Sequence, residues 1–117
     1  MNVTRIYTGE DGESHFDDVE IDLIDRGTIG AISKPLAAKS VMFRQTERDY
    51  DYQWHNAPQR QFVIMLSGGG VEIEVGNGTK RRLYAGDVLL AEDTTGRGHI
   101  SRAIDDEPRV SIFVPLA

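Results

Sequence analysis

The sequence has no cysteine and only three histidines, His15, His55 and His99, in 117 residues. Without cysteine, disulfides, thiol nucleophiles, zinc fingers and thiolate-held clusters are all excluded. Histidine is the side chain whose charge changes near neutral pH, and it is the commonest metal ligand. Any metal or proton-transfer chemistry must therefore be built around very few imidazoles.

Basic residues are also scarce, since 13 Lys and Arg stand against 19 Asp and Glu, for a net charge of −6. Phosphate backbones and anionic membranes favour clustered Lys and Arg, so this balance speaks against nucleic-acid and membrane partners. No apolar run approaches the ~18 residues of a membrane helix, and residues 1–5 lack the basic start of a signal peptide. We expect one cytoplasmic domain over residues 1–117.

Helical periodicity is nearly absent, and short strand patterns take its place. Only residues 29–40 resemble a helix, and Gly30 and Pro35 limit them to a short turn. Turn signals recur about every 8–12 residues, the spacing of an all-β sandwich or barrel. The pattern predicts strands over residues 40–45, 60–66, 71–75, 81–84, 87–91, 100–103 and 110–114.

One hairpin can be aligned from the sequence alone. Residues 71–75 alternate between apolar and acidic side chains, which is typical of a strand with one buried face. A three-residue loop over residues 76–78, with Gly78 in the left-handed conformation, gives the best register. It predicts three facing pairs: Glu74 with Lys80, Glu72 with Arg82, and Val71 with Leu83. We expect both charge pairs on the solvent face, where each contributes well under ~1 kcal/mol.

The run Phe62–Leu66 differs from the other strands because it is apolar at every position. Such a strand is typically buried on both faces. In a small barrel its inner face meets the core, and its outer face needs either a second sheet or another subunit as a cover. We therefore predict a homodimer.

Two segments concentrate the side chains that can carry chemistry. Residues 50–61 combine aromatic residues, a histidine, amides and an arginine. Residues 86–99 contain a buried strand, two adjacent carboxylates, a glycine-rich turn and a second histidine. His15 instead lies in an acidic segment over residues 10–18, which we expect to be mobile and solvated.

The two segments resemble the two motifs of the cupin superfamily. The first motif is Gly, five residues, His-x-His, three or four residues, Glu, six residues and Gly, and this sequence has at those points Asp49, His55, Ala57, Gln61 and Gly68. The second motif is Gly, five residues, Pro-x-Gly, two residues, His, three residues and Asn. Here it begins at Gly86, has Glu92 for the proline and Ala103 for the asparagine, and reaches His99 after two extra residues. The strings Trp54–Pro58 and Ala91–Gly96 look like those of short single-domain, RmlC-like cupins.

The resemblance covers about residues 40–114 and implies a double-stranded β-helix, the cupin jelly-roll barrel, with a ligand pocket inside. It also implies a metal on His, His, Glu and His, positions that here hold His55, Ala57, Gln61 and His99. One imidazole and the only carboxylate are absent, and a neutral amide is a weak donor to a divalent ion. We favour no cofactor. The alternative is Fe, Mn, Ni or Zn on His55, Gln61 and His99, with a carboxylate from Glu92 or Asp93.

The leading hypothesis is metal-independent acid–base chemistry of the isomerase or lyase type on a small polar metabolite in the barrel. The predicted catalytic residues are His55, His99 and Glu92. The predicted substrate-binding residues are Arg60, Gln61, Trp54, Tyr52 and Asp93. Two alternatives stay open: a metal-dependent cupin oxygenase or lyase, and a cupin that binds a ligand without turnover.

Overall fold

The computed structural model describes all 117 residues, and they form twelve short strands and one 3-10 turn. The strands are β1 (Asn2–Thr8), β2 (Ser14–Glu20), β3 (Ile24–Asp25), β4 (Ala31–Ile32), β5 (Met42–Thr46), β6 (Asp51–His55), β7 (Gln61–Gly68), β8 (Val71–Glu74), β9 (Lys80–Leu83), β10 (Val88–Glu92), β11 (His99–Ala103) and β12 (Arg109–Pro115). The 3-10 turn covers Gly27–Ile29. None of the helical structure is long and apolar enough to cross a membrane.

Ten of the strands form two sheets that pack as a sandwich. The large sheet has the order β2-β1-β10-β7-β12-β5, and the small sheet has the order β6-β11-β8-β9. Every pairing is antiparallel except that of β1 with β10. The all-β prediction is therefore confirmed, and the inner faces of the two sheets enclose the core.

The core follows the alternation of side chains along each strand. On β7, Val63 and Met65 point inward and are buried, whereas Phe62 and Ile64 point outward and are only half-buried. The buried apolar side chains are Ile6, Ala57, Val63, Met65, Val71, Ile73, Val75, Leu83, Leu89 and Ala91. Within a single chain, β7 is thus buried on its inner face only, whereas burial on both faces was expected.

Each of the seven predicted strands matches an observed strand to within two residues at either end. The sequence did not predict β1–β4 or β6, whose residues lack a clear apolar alternation. Because β1 pairs with β10 inside the large sheet, the sheet includes residues that precede the stretch of about 40–114 covered by the resemblance. His15 lies in β2, half-buried beside Asp11, so the expectation of a mobile segment was wrong.

The predicted hairpin register is confirmed pair for pair in β8 and β9. Gly78 has φ of 86°, the left-handed conformation that the loop requires. Glu72 is less exposed than expected, since Arg82 and Arg102 both donate to its carboxylate at 3.1 Å. Burial alone would raise the pKa of Glu72, but the two guanidiniums outweigh burial and lower it.

Candidate functional site

A cavity of about 270 Å³ lies between the inner faces of the two sheets. Ligand pockets for drug-sized molecules span about 300–1,000 Å³, so this cavity suits a small ligand. Its apolar wall includes Val63, Met65, Ile73, Leu89 and Phe113. Histidine, amide, hydroxyl and arginine groups interrupt this wall.

Two histidines meet at the cavity because β6 and β11 are paired strands. His55 lies directly opposite His99 in the ladder, and their ring centroids are 4.4 Å apart at an interplanar angle of 59°. The register then shifts, so that Ser101 lies opposite Tyr52. Such a bulge re-aims the side chains beside it. Tyr52 and His55, which a regular strand would point to opposite faces, stack with centroids 3.8 Å apart.

The residue before His99 makes this close pairing feasible. Gly98 has φ of 79° and lies against the backbone of His55. A Cβ at position 98 would collide with the carbonyl oxygen of His55. Glycine is therefore required both by the backbone conformation and by the close approach of the two strands.

His55 is held by its Nδ1, which donates to the backbone carbonyl of Gln53 at 2.7 Å. This bond leaves Nε2 with a free lone pair. Burial lowers the pKa of His55 below its ordinary value of 6.5, and the nearby His99 and Arg44 act in the same direction. His55 is therefore neutral near pH 7 and able to accept a proton.

His99 is held by a carboxylate. Its Nδ1 donates to Oδ2 of Asp93 at 2.5 Å, and the Ser14 hydroxyl donates to the same oxygen at 2.8 Å. Asp93 is fully buried, and its backbone carbonyl accepts the N–H of Ala57 at 3.1 Å. A carboxylate in this place orients the imidazole and fixes its tautomer. Asp93 lies behind His99 and contacts the ring, whereas we predicted direct contact with the substrate.

Gln61 faces the cavity from the start of β7. It is buried, and its Oε1 has no hydrogen-bond partner within the protein. Such an unpaired buried oxygen favours a ligand donor at this point. The structure thus brings together five of the predicted site residues. His55, His99, Gln61 and Tyr52 lie on the cavity wall, and Asp93 lies directly behind His99.

These donors are a poor fit to a divalent metal. Two neutral imidazoles and one amide oxygen supply no anionic ligand, and Asp93 already accepts from His99 Nδ1. No group of three or more His, Cys, Asp or Glu side chains gathers in a way that could hold an ion. Divalent ions in mixed N/O sites favour a carboxylate beside the imidazoles. We therefore derive no chemical step through a metal.

Glu92 and Arg60 lie outside the cavity, contrary to the prediction. Glu92 follows the inward-facing Ala91 on β10, so its side chain points to the outer face of the large sheet. There it accepts from Arg60 Nε at 2.5 Å and from Arg5 Nε at 2.6 Å. Burial would raise the pKa of Glu92, but the two guanidiniums outweigh it and lower the pKa. Glu92 is a stably ionised bridge on the outer surface, far from any proton transfer inside.

Trp54 also points away from the cavity. Its side chain does not line the cavity wall, and the guanidinium of Arg97 lies 4.7 Å from the centroid of its ring. Arg97 in turn pairs with Glu13 at 2.7 Å. The predicted contact of Trp54 with a substrate is therefore corrected to a packing role on the surface.

The cavity wall also includes polar residues that were not predicted as site residues, among them Arg44, Tyr50 and Arg109. β12 inverts the usual pattern, because Val110, Ile112 and Val114 face outward while Arg109 and Ser111 face inward, opposite Thr46 and Arg44 of β5. From the sequence alone, the polar face of such a strand is expected to face solvent. The inward direction of Arg109 can be recognised only once the position of β12 beside β5 and β7 is known.

Comparison with known proteins defines the fold and nothing finer. No family model matches the chain, and no curated protein matches it in sequence. Protein NMB1881 from Neisseria meningitidis is similar in structure, with a TM-score of 0.50 and 13% identity over 84% of this chain and 83% of that one. A Salmonella typhimurium protein assigned as ethanolamine utilization protein Q (EutQ) aligns over 100% of this chain and 97% of its own, with a TM-score of 0.42 and 14% identity. The likeness to NMB1881, a protein of cupin-type fold, concerns the fold alone. The chain is an all-β protein with the double-stranded β-helix, or cupin-type, fold.

Proposed function

We propose that the protein is a short single-domain, RmlC-like cupin that binds a small polar metabolite in its cavity and moves protons on it without a metal. The reaction is of the isomerase or lyase type, and the compartment is the cytoplasm. One observation carries the proposal. His55 and His99 lie with ring centroids 4.4 Å apart on the cavity wall, and each has its Nδ1 held by an acceptor of the protein.

His55 acts as the general base. Its neutral form carries the lone pair on Nε2, because Nδ1–H is committed to the Gln53 carbonyl. Nε2 accepts a proton from a substrate carbon next to a carbonyl or carboxyl group, and the electron pair of the broken C–H bond moves into that group. The pKa of a base that works near neutral pH is best placed close to or below the working pH. The lowered pKa of His55 meets this requirement.

His99 acts as the general acid. Asp93 fixes the Nδ1 side of the ring, and His99 delivers a proton from Nε2 either to a second carbon, as in an isomerase, or to a leaving oxygen, as in a lyase. Each turnover leaves one proton more on His55 and one fewer on His99, and water restores both. Gln61 lines the same cavity, and its amide N–H donates to the negative oxygen that forms during the transfer.

Exchange of carbon-bound hydrogen in D2O tests this proposal. The protein is incubated with a panel of small 2-oxo, 2-hydroxy and unsaturated acids and free sugars, and deuterium uptake is followed by NMR. We expect uptake into at least one compound, and a fall of at least ~100-fold in His55→Gln and in His99→Gln. His15→Gln, which alters a histidine outside the cavity, is the matched control and should exchange at the wild-type rate.

Three results would contradict the proposal. Equal exchange in the wild type and both cavity variants would remove the two histidines from the chemistry. Binding of a panel compound with no exchange would identify a ligand-binding protein without turnover. Exchange that appears only after a divalent ion is added to protein purified without a polyhistidine tag would favour a metal-dependent enzyme.

A further inference from the structure

Arg109 is a buried charge without a counter-ion. The residue is 5% exposed, although buried charges in proteins are normally paired. Its single hydrogen bond is a long one of 3.5 Å from Nη1 to the carbonyl of Gly70, and its Nε has no partner. Thr46, its neighbour across the β5–β12 ladder, also has a buried hydroxyl oxygen without a partner.

Arg44 adds a second unpaired guanidinium to the same wall. It lies diagonally across the ladder from Arg109, since Arg44 faces Ser111 and Arg109 faces Thr46. The Arg44 and Arg109 guanidiniums lie 4.9 Å and 5.2 Å from the centroid of the same Tyr50 ring. Tyr50 is itself fixed by a hydrogen bond of 2.7 Å between its hydroxyl and that of Ser101.

Neither arginine takes part in any ion pair of the protein. The other arginines without an ion pair, Arg26 and Arg48, are exposed to water. The chain has a surplus of acidic residues, with 19 against 13 basic ones, yet it places none beside these two cations. Arg109 is buried and Arg44 is half-buried, so these two neighbouring like charges destabilise the fold unless something neutralises them.

We propose that the ligand of the cavity is a small organic acid whose carboxylate is bound by Arg109 and Arg44. The inference deepens the proposed function, because it concerns the ligand of the same cavity. The guanidinium fork matches a planar carboxylate with two parallel hydrogen bonds.

The register of the strands places the acid relative to the histidines. Along the β7–β12 ladder, Gln61 faces Pro115 at one end and Arg109 faces Gly68 at the other. His99 and Asp93 lie near the Gln61 end of this ladder. Ala91 of β10 pairs with Gln61 of β7, and Asp93 follows Ala91 by two residues. The side chain of Arg44 extends from the Arg109 end toward the middle of the β7–β12 ladder, and its guanidinium lies 5.3 Å from the centroid of the Phe113 ring. The carboxylate therefore binds at the arginine end, and the carbon skeleton extends toward the imidazoles.

Binding measurements with simple probes test the inference. Malonate, succinate and malate are titrated into the full-length protein by calorimetry, with their diamides as neutral analogues and inorganic phosphate as a tetrahedral anion. We expect at least one acid to bind, its diamide to bind at least 10-fold more weakly, and phosphate to bind more weakly than the acid.

Arg109→Met should weaken binding of the acid by about 10- to 100-fold, the range for a lost hydrogen bond to a charged group. Arg60→Met, which removes an arginine from the outer face, is the matched control and should bind as the wild type does.

Thermal unfolding separates a ligand-binding arginine from a structural one. Because Arg109→Met replaces an unpaired buried charge with an apolar side chain, the melting temperature of the ligand-free protein should stay the same or rise. A fall in melting temperature with unchanged acid binding would overturn the inference. Tighter binding of phosphate or of the diamides, or no binding of any acid, would also overturn the inference.

If the acids bind but show no hydrogen exchange, the inference stands and the proposed chemistry fails. If exchange occurs only on neutral compounds, the chemistry stands and the inference fails.

Discussion

At the scale of single residues, the two cavity imidazoles differ in what holds their Nδ1 atoms. A backbone carbonyl holds His55, and a buried carboxylate holds His99. Burial holds the pKa of His55 below its ordinary value, which suits a base. The proposed reaction therefore uses His55 as the base and His99, oriented by Asp93, as the acid.

The role of Asp93 can be tested by comparing the Asp93–His99 pair in the core with the Asp11–His15 pair on the surface. Asp93→Asn removes the charge from a fully buried carboxylate bonded to His99 and Ser14, and we expect a loss of about 1–3 kcal/mol in the free energy of unfolding. Asp11→Asn is the control, since Asp11 contacts His15 at 3.0 Å with more than half of its side chain exposed. The control should change stability by less than about 0.5 kcal/mol. Urea unfolding measures both, and equal losses would show that Asp93 does not hold the site together.

The lowered pKa of His55 predicts a pH dependence of stability. The folded protein binds a proton at His55 less readily than the unfolded chain, so the unfolded chain takes up more protons as pH falls below about 6.5. The free energy of unfolding of the wild type should therefore fall relative to that of His55→Gln as pH decreases from 7.5 towards 5. Urea unfolding across this pH range measures the difference. A constant difference, or one of opposite sign, would contradict the lowered pKa.

The sequence predicted some of these residues and misplaced others for one physical reason. The cupin resemblance placed His55, His99 and Gln61 on a common cavity, where the structure also has them. Glu92 and Arg60 were included because they are close along the chain to those residues. Strand side chains alternate, however, so Glu92 points away from the face that Ala91 occupies. Residues that are close in the sequence can therefore lie on opposite faces of a sheet, and only the position of each residue along its strand decides which face it occupies.

At the scale of the elements, the pairing of β6 with β11 creates the site. The bulge between them brings Tyr52 and His55 to one face, and Gly98 allows the strands to approach. The register of the β8–β9 hairpin could be predicted pair for pair, because its alternation and loop are local. The burial of Glu72 could not, because it depends on Arg102 of β11. The register of β6 against β11 joins residues more than 40 positions apart, and no local pattern encodes that register.

Gly98 and Gly78 form a matched pair for testing this pairing. Both have positive φ, of 79° and 86°, but a Cβ at position 78 meets open space whereas one at position 98 meets the His55 carbonyl. Gly78→Ala should cost about 1–2 kcal/mol through backbone strain alone. Gly98→Ala should cost about 1–3 kcal/mol more, because the two strands must separate. Urea unfolding gives both values, and NMR should show shifted His55 signals only in Gly98→Ala. Equal costs with unshifted His55 signals would mean that the close approach does not position the histidine.

At the scale of the whole molecule, the outer face of the large sheet is apolar across three neighbouring strands. Ile64 faces Ile112 on β12, and Ile112 faces Phe43 on β5, whose side chain is 73% exposed. The sequence indicated this surface through the apolar run of β7. What the sequence could not show is that β12 and β5 extend the same patch, because their apolar residues face outward while their arginines face inward.

The predicted homodimer uses this face, with the same patch of both copies in contact. We expect light scattering to give twice the chain mass of 13.0 kDa, and Phe43→Asp to give a monomer. Ile29→Asp is the control, because Ile29 is 81% exposed but lies in the 3-10 turn outside the large sheet. A wild type that is monomeric at high concentration, or a Phe43→Asp protein that stays dimeric, would contradict this interface.

In the proposed complex, Arg109 and Arg44 hold the carboxylate of a small acid while His55 and His99 face its carbon skeleton. A crystal structure with the tightest-binding acid of the panel tests this most directly. We predict the carboxylate on both guanidiniums and a carbon atom within about 3.5 Å of the His55 Nε2, the distance of a reactive approach. An acid bound outside the cavity, or one whose carboxylate lies on the two histidines and leaves the arginines unpaired, would contradict the account.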